Sequence, residues 1–374
     1  MSVISRSKNR VQAFNQGFQE VWPGLILVLG VALVSRFLHG LLAGTLLARS
    51  ISEILIAMLI GLVVRNVIGY PQKLTPGITF SIKKILRFGI ILLGLRLSLQ
   101  DIAATGWQGL GLIGICITLT LSLAWGAKRW FQISPRLATL IGVGTAICGN
   151  SAIIATAPVI EANDEEVSFA VATITLFGLL AVLIYPFIGR LLNLPDALFG
   201  LWAGTAVNDT SQVVAVGAMY SDFAQNVATI IKLTRNVLMA PLIFAIGLVY
   251  QRSKGQKTRV KGSGHQRVGF GKLVPGFVLG FVLMAVVRTI GVTLGIFPQD
   301  VAAPGHLEMA ARSLIFLDSV SKFAILMALS AVGLNTSLAS LKRIGLKPLV
   351  VGTLLALTLS VTSLVLILFT PLGG

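Results

Sequence analysis

Charge is scarce in this sequence. Only 11% of its 374 residues are Asp, Glu, Lys or Arg, against about 25% in an ordinary soluble domain, so a water-facing globular fold is excluded. Acids are rarer still, with 13 Asp and Glu against 30 Lys and Arg. Three histidines, and two cysteines that both fall inside apolar runs (Cys116 and Cys148), leave no disulfide framework and no cluster with metal-ligand spacing. A phosphate-cradling P-loop and a GxSxG elbow are missing as well. No catalytic constellation, resident cofactor or metal site follows from these residues, and an enzyme is not expected.

Apolar sequence is what the chain has in plenty: 55% of its residues are hydrophobic and its mean hydropathy is +0.89. Hydrophobic segments recur near 20–40, 51–69, 79–98, 106–127, 135–160, 166–190, 195–221, 224–250, 272–296, 308–333 and 347–370. A run of about 18 residues is enough to enter or cross a hydrocarbon core of about 30 Å. About 11 such segments predict an all-α polytopic membrane protein, because a helix satisfies its own backbone in lipid. Residues 1–19 read as a cytoplasmic N-terminal segment and 20–374 as a single transmembrane domain. Arg36 interrupts the first apolar run and no convincing cleavage site follows, so a retained span is expected rather than a signal peptide.

The formal net charge of +17 invites a nucleic-acid reading, but the positions of the charges argue against it. Arg6, Lys8 and Arg10 precede the first span, Lys128, Arg129 and Arg136 share one loop, and Lys342, Arg343 and Lys347 share another. The stretch 251–272, QRSKGQKTRVKGSGHQRVGFGK, carries no acid. Basic residues in every second loop are what orientation by the positive-inside rule produces. The rule predicts an N-terminus inside, 251–271 as a cytoplasmic loop, and Arg190 inside. Asp101, Glu161, Asp164, Glu165, Glu166, Asp222 and Asp300 are expected outside. The partners implied are the lipid bilayer and a small solute, with no nucleic acid; a homodimer stays open.

Two repeats organise the chain. Residues 63–65 (VVR), 70–72 (YPQ), Lys83 and 94–99 (GLRLSL) return as 286–288 (VVR), 297–299 (FPQ), Lys322 and 333–338 (GLNTSL). An odd number of segments separates the copies, so the halves 51–127 and 272–370 run in opposite directions, as in inverted-repeat transporters. The second repeat is a phrase of small residues, GTAICGNSAIIA at 144–155 and GTAVNDTSQVVA at 204–215. Glycine, asparagine and aspartate break helices or stabilise turns by local hydrogen bonding, so segments 135–160 and 195–221 are expected to be interrupted. Whether they cross or re-enter stays open. The acidic 161–166 favours crossing, and the inverted symmetry favours hairpins.

An interruption frees backbone N–H groups at the start of the second half-helix, which carries the positive dipole end. Two converging ends would make an anion pocket, with Gly149, Asn150, Ser151, Thr210, Ser211 and Gln212 as the substrate-binding candidates. Lys232, Arg235 and Asn236 join them, because i, i+3 and i, i+4 spacing puts all three on one face of an apolar segment. Two unpaired cations at membrane depth would cost at least about 5 kcal/mol. They must therefore pair with a carboxylate, Asp209 first, or line an aqueous anion site. Asp209 is the leading coupling residue, for H+ or Na+. Asp318 and Lys322, spaced i, i+4, form either an ion pair or a second coupling element.

The phrases ICGNSAIIATAPVI (147–160), LWAGTAVNDTSQVVAVGAMYS (201–221), ATIIKLTRNVLMAPL (228–242) and ILLGLRLSL (91–99) together resemble the YeiH-like family of bacterial inner-membrane proteins. The resemblance covers residues 50–370, roughly. It implies a polytopic inner-membrane transporter, distantly grouped with cation/proton antiporters and anion transporters that use inverted repeats and broken helices. Sulfate export is the role that family's label proposes, and the resemblance does not fix the substrate. The expectation is a secondary transporter, working as an exporter, of a small anion such as sulfate or a sulfonate. A cation/proton antiporter using Asp209 and Asp318, and a passive anion channel, are the alternatives.

Overall fold

The computed structural model describes residues 2–42, 52–253, 275–299, 301, 307–341 and 345–369. Most of the basic loop 251–271, with Asp300, Lys342 and Arg343, lies outside the described residues. Among the described residues every regular element is helical, as closure of backbone hydrogen bonds in hydrocarbon requires. In chain order the helices begin with α1 (Ser2–Leu42), α2 (Glu53–Val63), α3 (Thr75–Phe80), α4 (Leu86–Leu93) and α5 (Leu99–Trp130). Next come α6 (Pro135–Ala146), α7 (Asn150–Thr156), α8 (Asp164–Leu191), α9 (Asp196–Ala206) and α10 (Thr210–Tyr220). The last are α11 (Asp222–Val237), α12 (Met239–Ser253), α13 (Gly276–Thr293), α14 (Glu308–Asn335), α15 (Leu338–Leu341) and α16 (Leu346–Phe369).

Among the described residues, seven stretches are long and apolar enough to cross a bilayer: Gln19–Leu42, α5, α8, Asp222–Tyr250, α13, α14 and α16. The protein is a multi-pass, all-α membrane protein. The segments expected at 51–69 and 79–98 are less regular. A π-turn at Val64–Ile68 continues α2, and another at Ser81–Ile85 joins α3 to α4.

The chain gathers into two compact units, Met1–Arg96 with Val287–Ala339, and Leu97–Val286 with Ser340–Gly374. In the first unit α2 packs on α14 through small residues. A β-carbon on Gly333 would lie 2.3 Å from the Met58 carbonyl oxygen, so the backbones approach as closely as small-residue membrane interfaces allow. Asn66, in the π-turn after α2, ties that turn to the end of α14. Its Nδ2 donates to the Thr336 carbonyl at 2.9 Å and its Oδ1 accepts from the Leu338 amide at 2.7 Å.

The second unit settles how the two interrupted segments are threaded. The 12 residues of α6 rise about 18 Å at about 1.5 Å each, well short of a 30 Å core, roughly. The chain turns at 147–149 and comes back through α7. Ser134, which caps α6 by accepting from the Leu137 amide at 3.0 Å, also donates to the Glu166 carboxylate at the start of α8. Entry and exit of this segment therefore lie on one face. The second segment behaves likewise. Tyr220, at the end of α10, donates to the Leu194 carbonyl at 2.5 Å, just before α9, and Arg190 Nη2 donates to the Met219 carbonyl at 3.0 Å. The long α8 runs from one pair of ends to the other, so the two hairpins open on opposite faces.

Re-entry reverses α8 relative to a crossing arrangement and corrects two sidedness expectations. Glu161, Asp164, Glu165 and Glu166, expected outside, lie at the end of α8 shared with Lys128, Arg129 and Arg136. Arg190, expected inside, lies at the other end. The orientation rule weighs Lys and Arg in short loops and gives acids little weight, so the acidic turn was a poor guide.

Candidate functional site

Each hairpin ends its first helix among buried residues, at Ala146 and Ala206, which leaves the last carbonyls of α6 and α9 without helical donors and concentrates about half a negative charge at each end. Two cations on α11 meet both ends. Lys232 Nζ donates to the carbonyls of Ile147 at 2.6 Å, Val207 at 3.1 Å, and Asn208. Arg235 donates through Nε to Ile147 at 2.5 Å, through Nη2 to Thr145 at 2.8 Å, and through Nη1 to Thr205. Both side chains are buried, at 0% and 1% exposure. They neither bridge to Asp209 nor stand free on an aqueous wall, the two arrangements the sequence left open. They clamp the two tips to α11 by main-chain oxygens.

The tips also touch directly. Gly149 turns the first with φ +68 and ψ −127, a conformation that L side chains rarely adopt. A β-carbon there would lie 3.5 Å from the backbone carbonyl carbon and oxygen of Asn208.

The two second halves begin differently. The start of α10 is closed by its own chain: Asp209 Oδ1 accepts from the Ser211 amide at 2.9 Å and the Ser211 hydroxyl at 2.6 Å, and Gln212 Oε1 accepts from the Asp209 amide at 3.3 Å. The start of α7 has no side-chain cap, and Ser151 in its first turn is exposed. Asn150 Nδ2 donates to Thr175 Oγ1, and Asn236 Nδ2 to Thr210 Oγ1, both at 3.3 Å. Gly149, Asn150, Ser151, Asp209, Thr210, Ser211, Gln212, Lys232, Arg235 and Asn236 thus belong to the two tips and the helix that holds them. Sequence reasoning missed the carbonyls of Thr145, Ile147, Thr205 and Val207. The signal that could have found them was the C-terminal end of each first half-helix, which needs a cation as much as the other half needs an anion.

Comparison with known proteins agrees along most of the length. The family described as Conserved hypothetical protein 698 matches residues 23–352. A UPF0324 membrane protein of Streptococcus pyogenes serotype M6 is 36% identical over 346 residues, covering 91% of this chain and 95% of that protein. The chain belongs to the UPF0324 family. A UPF0324 membrane protein of Clostridium tetani is 33% identical over 350 residues, 91% of this chain and 94% of that one. One of Streptococcus mutans serotype c is 35% identical over 352 residues, 93% and 96% of the two chains. Each relative is named as a membrane protein, and this UPF0324 chain is a bacterial multi-pass membrane protein.

Asp318 and Lys322 of the UPF0324 chain lie in the first unit, away from these tip residues in the sequence. Asp318 pairs with Arg96 and with Lys322 Nζ at 3.5 Å. The i, i+4 pair was legible; Arg96 was not singled out. An arginine inside the apolar phrase GLRLSL demands a carboxylate by the same cost argument that drew attention to Lys232.

Proposed function

We propose that this UPF0324 protein is a secondary transporter of a small anion, with sulfate or a sulfonate first in line and the junction of the hairpin tips as its site. One observation carries the reading: two hairpins opening on opposite faces are fastened, tip to tip, on two buried cations. Broken backbone at membrane depth persists where protein or a water-lined cavity surrounds it, and opposed broken elements build substrate sites near the midplane. Lys232 and Arg235 bring two positive charges to the junction and Asp209, beside Lys232 among the described residues, brings one negative charge, so a negative solute is the one whose arrival lowers the excess. Asn150, Ser151 and the amides of α7 supply donors on one side. On the other, the anion competes with Asp209 for the start of α10, which makes Asp209 the coupling residue. Outward transport is the direction that the family resemblance implies.

The test is counterflow of radiolabelled sulfate in liposomes containing the purified protein, with sulfite and taurine as competitors. Saturable counterflow is expected, lost in Lys232→Ala protein that still elutes as a single folded species. Gradient dissipation without counterflow would make the protein a channel. No response to any anion, in folded protein, would leave the cation/proton antiporter.

A further inference from the structure

Three side-chain amide oxygens at the junction are buried without a hydrogen-bond donor: Asn150 Oδ1, Asn208 Oδ1 and Asn236 Oδ1. Asn208 and Asn236 are 2% and 4% exposed. Buried polar atoms are almost always satisfied, so a cluster of exceptions calls for an explanation. Asn150 and Asn236 each direct the amide nitrogen to a threonine hydroxyl, Thr175 and Thr210, which leaves the oxygen over. Asn208 has its peptide against Gly149, the neighbour of Asn150 in the chain, and its carbonyl on Lys232, one turn before Asn236 on α11. Asp209 follows in the chain, with Oδ1 committed to Ser211 and its carboxylate also accepting from the Gln212 amide in the capping box, which leaves lone pairs on the carboxylate for a further ligand.

We propose that Asn150 Oδ1, Asn208 Oδ1, Asn236 Oδ1 and the Asp209 carboxylate hold a small alkali cation, sodium, at the hairpin junction. Carbonyl and carboxylate oxygens are the hard ligands that hard cations prefer. Four oxygens with one formal negative charge suit a monovalent ion, whereas divalent sites of this kind draw on several carboxylates. Lys232 and Arg235 donate to main-chain carbonyls and form no ion pair with Asp209, so the carboxylate's charge stays available to the ion.

The site has a consequence that rests on the transporter reading. A cation on Asp209 weakens that carboxylate's hold on the Ser211 amide and opens the start of α10 to an anion. Cation and anion then bind with positive coupling, each raising the other's affinity by the same factor.

The ion itself is tested without substrate. Thermal unfolding of the full chain in detergent is followed as sodium chloride replaces choline chloride at constant ionic strength. A saturable rise in the midpoint with sodium is expected, with the half-saturating concentration raised at least tenfold in both Asn208→Ala and Asn236→Ala. If either alanine variant fails to fold, Asn236→Asp keeps the oxygen and adds a charge, and its sodium response is expected to be retained at equal or lower concentration. Equal midpoints in sodium and choline would overturn the proposal and leave the oxygens to water. An unchanged sodium response in the alanine variants, or one lost in Asn236→Asp, would place the ion elsewhere. Because no substrate anion is varied, failure here leaves anion counterflow untouched, and failure of counterflow leaves this response standing.

Discussion

Lys232 gives its ammonium to peptide oxygens alone, so replacing it by an apolar chain of similar length removes a charge and strands the carbonyls of Val207 and Asn208, while Ile147 keeps its donor from Arg235. Losing hydrogen bonds from a charged donor to buried carbonyls costs about 1.5–3 kcal/mol. Lys232→Met is expected to lose that much in thermal or denaturant unfolding, and Lys232→Arg, which keeps the charge, distinctly less. Gly149 offers a second contrast. Its φ of +68 makes Gly149→Ala strained by about 1–3 kcal/mol. Gly111, helical in α5 with nothing within 4 Å of an added β-carbon, should gain about 0.4–1 kcal/mol on the same change. Opposite signs from one chemical substitution check the turn directly. The shared face of Lys232, Arg235 and Asn236 was legible, since helical spacing displays it. Their acceptors were not, because a main-chain oxygen has no letter in the sequence.

At the scale of elements, the hairpins make a prediction about sidedness. Arg129→Cys and Glu165→Cys, both exposed, should react with a membrane-impermeant thiol reagent from one and the same face. Asn193→Cys and Asp222→Cys, also exposed, should react from the other. The native Cys116 and Cys148 are buried, which keeps the background low. Labelling of Glu165→Cys from the face opposite to Arg129→Cys would mean that the segment between them crosses. The interruptions themselves could be read from the repeated glycine and asparagine phrases. Re-entry could not, because a segment of this length is able to cross once or fold back. The deciding contact joins Ser134 to Glu166, 32 positions apart.

At the scale of the whole molecule, the second unit has a basic end and a poorer one. Lys128, Arg129, Arg136, Arg252 and Lys347 mark the first, beside the acids Glu161, Asp164, Glu165 and Glu166, and Asp101, Asp196 and Asp222 mark the second, where Arg190 is the one cation among the described residues. With the basic end inside, an alkaline phosphatase reporter fused after Phe369 should be active in whole cells, and one fused after Trp130 inactive. Membrane class and helical architecture were plain from composition; the division into two units was not, because hydropathy reports burial in lipid and says nothing about which helices share a core. The clamp at the hairpin tips carries one more implication. A cation that reads carbonyls imposes no rule on the side chains that lend them, so Thr145, Ile147, Thr205 and Val207 are free to vary as far as that joint is concerned. Among related chains, pairwise correlated substitutions would then pass over the strongest fastening between the two hairpins, and a saturation mutagenesis map would show it as two intolerant positions without visible counterparts.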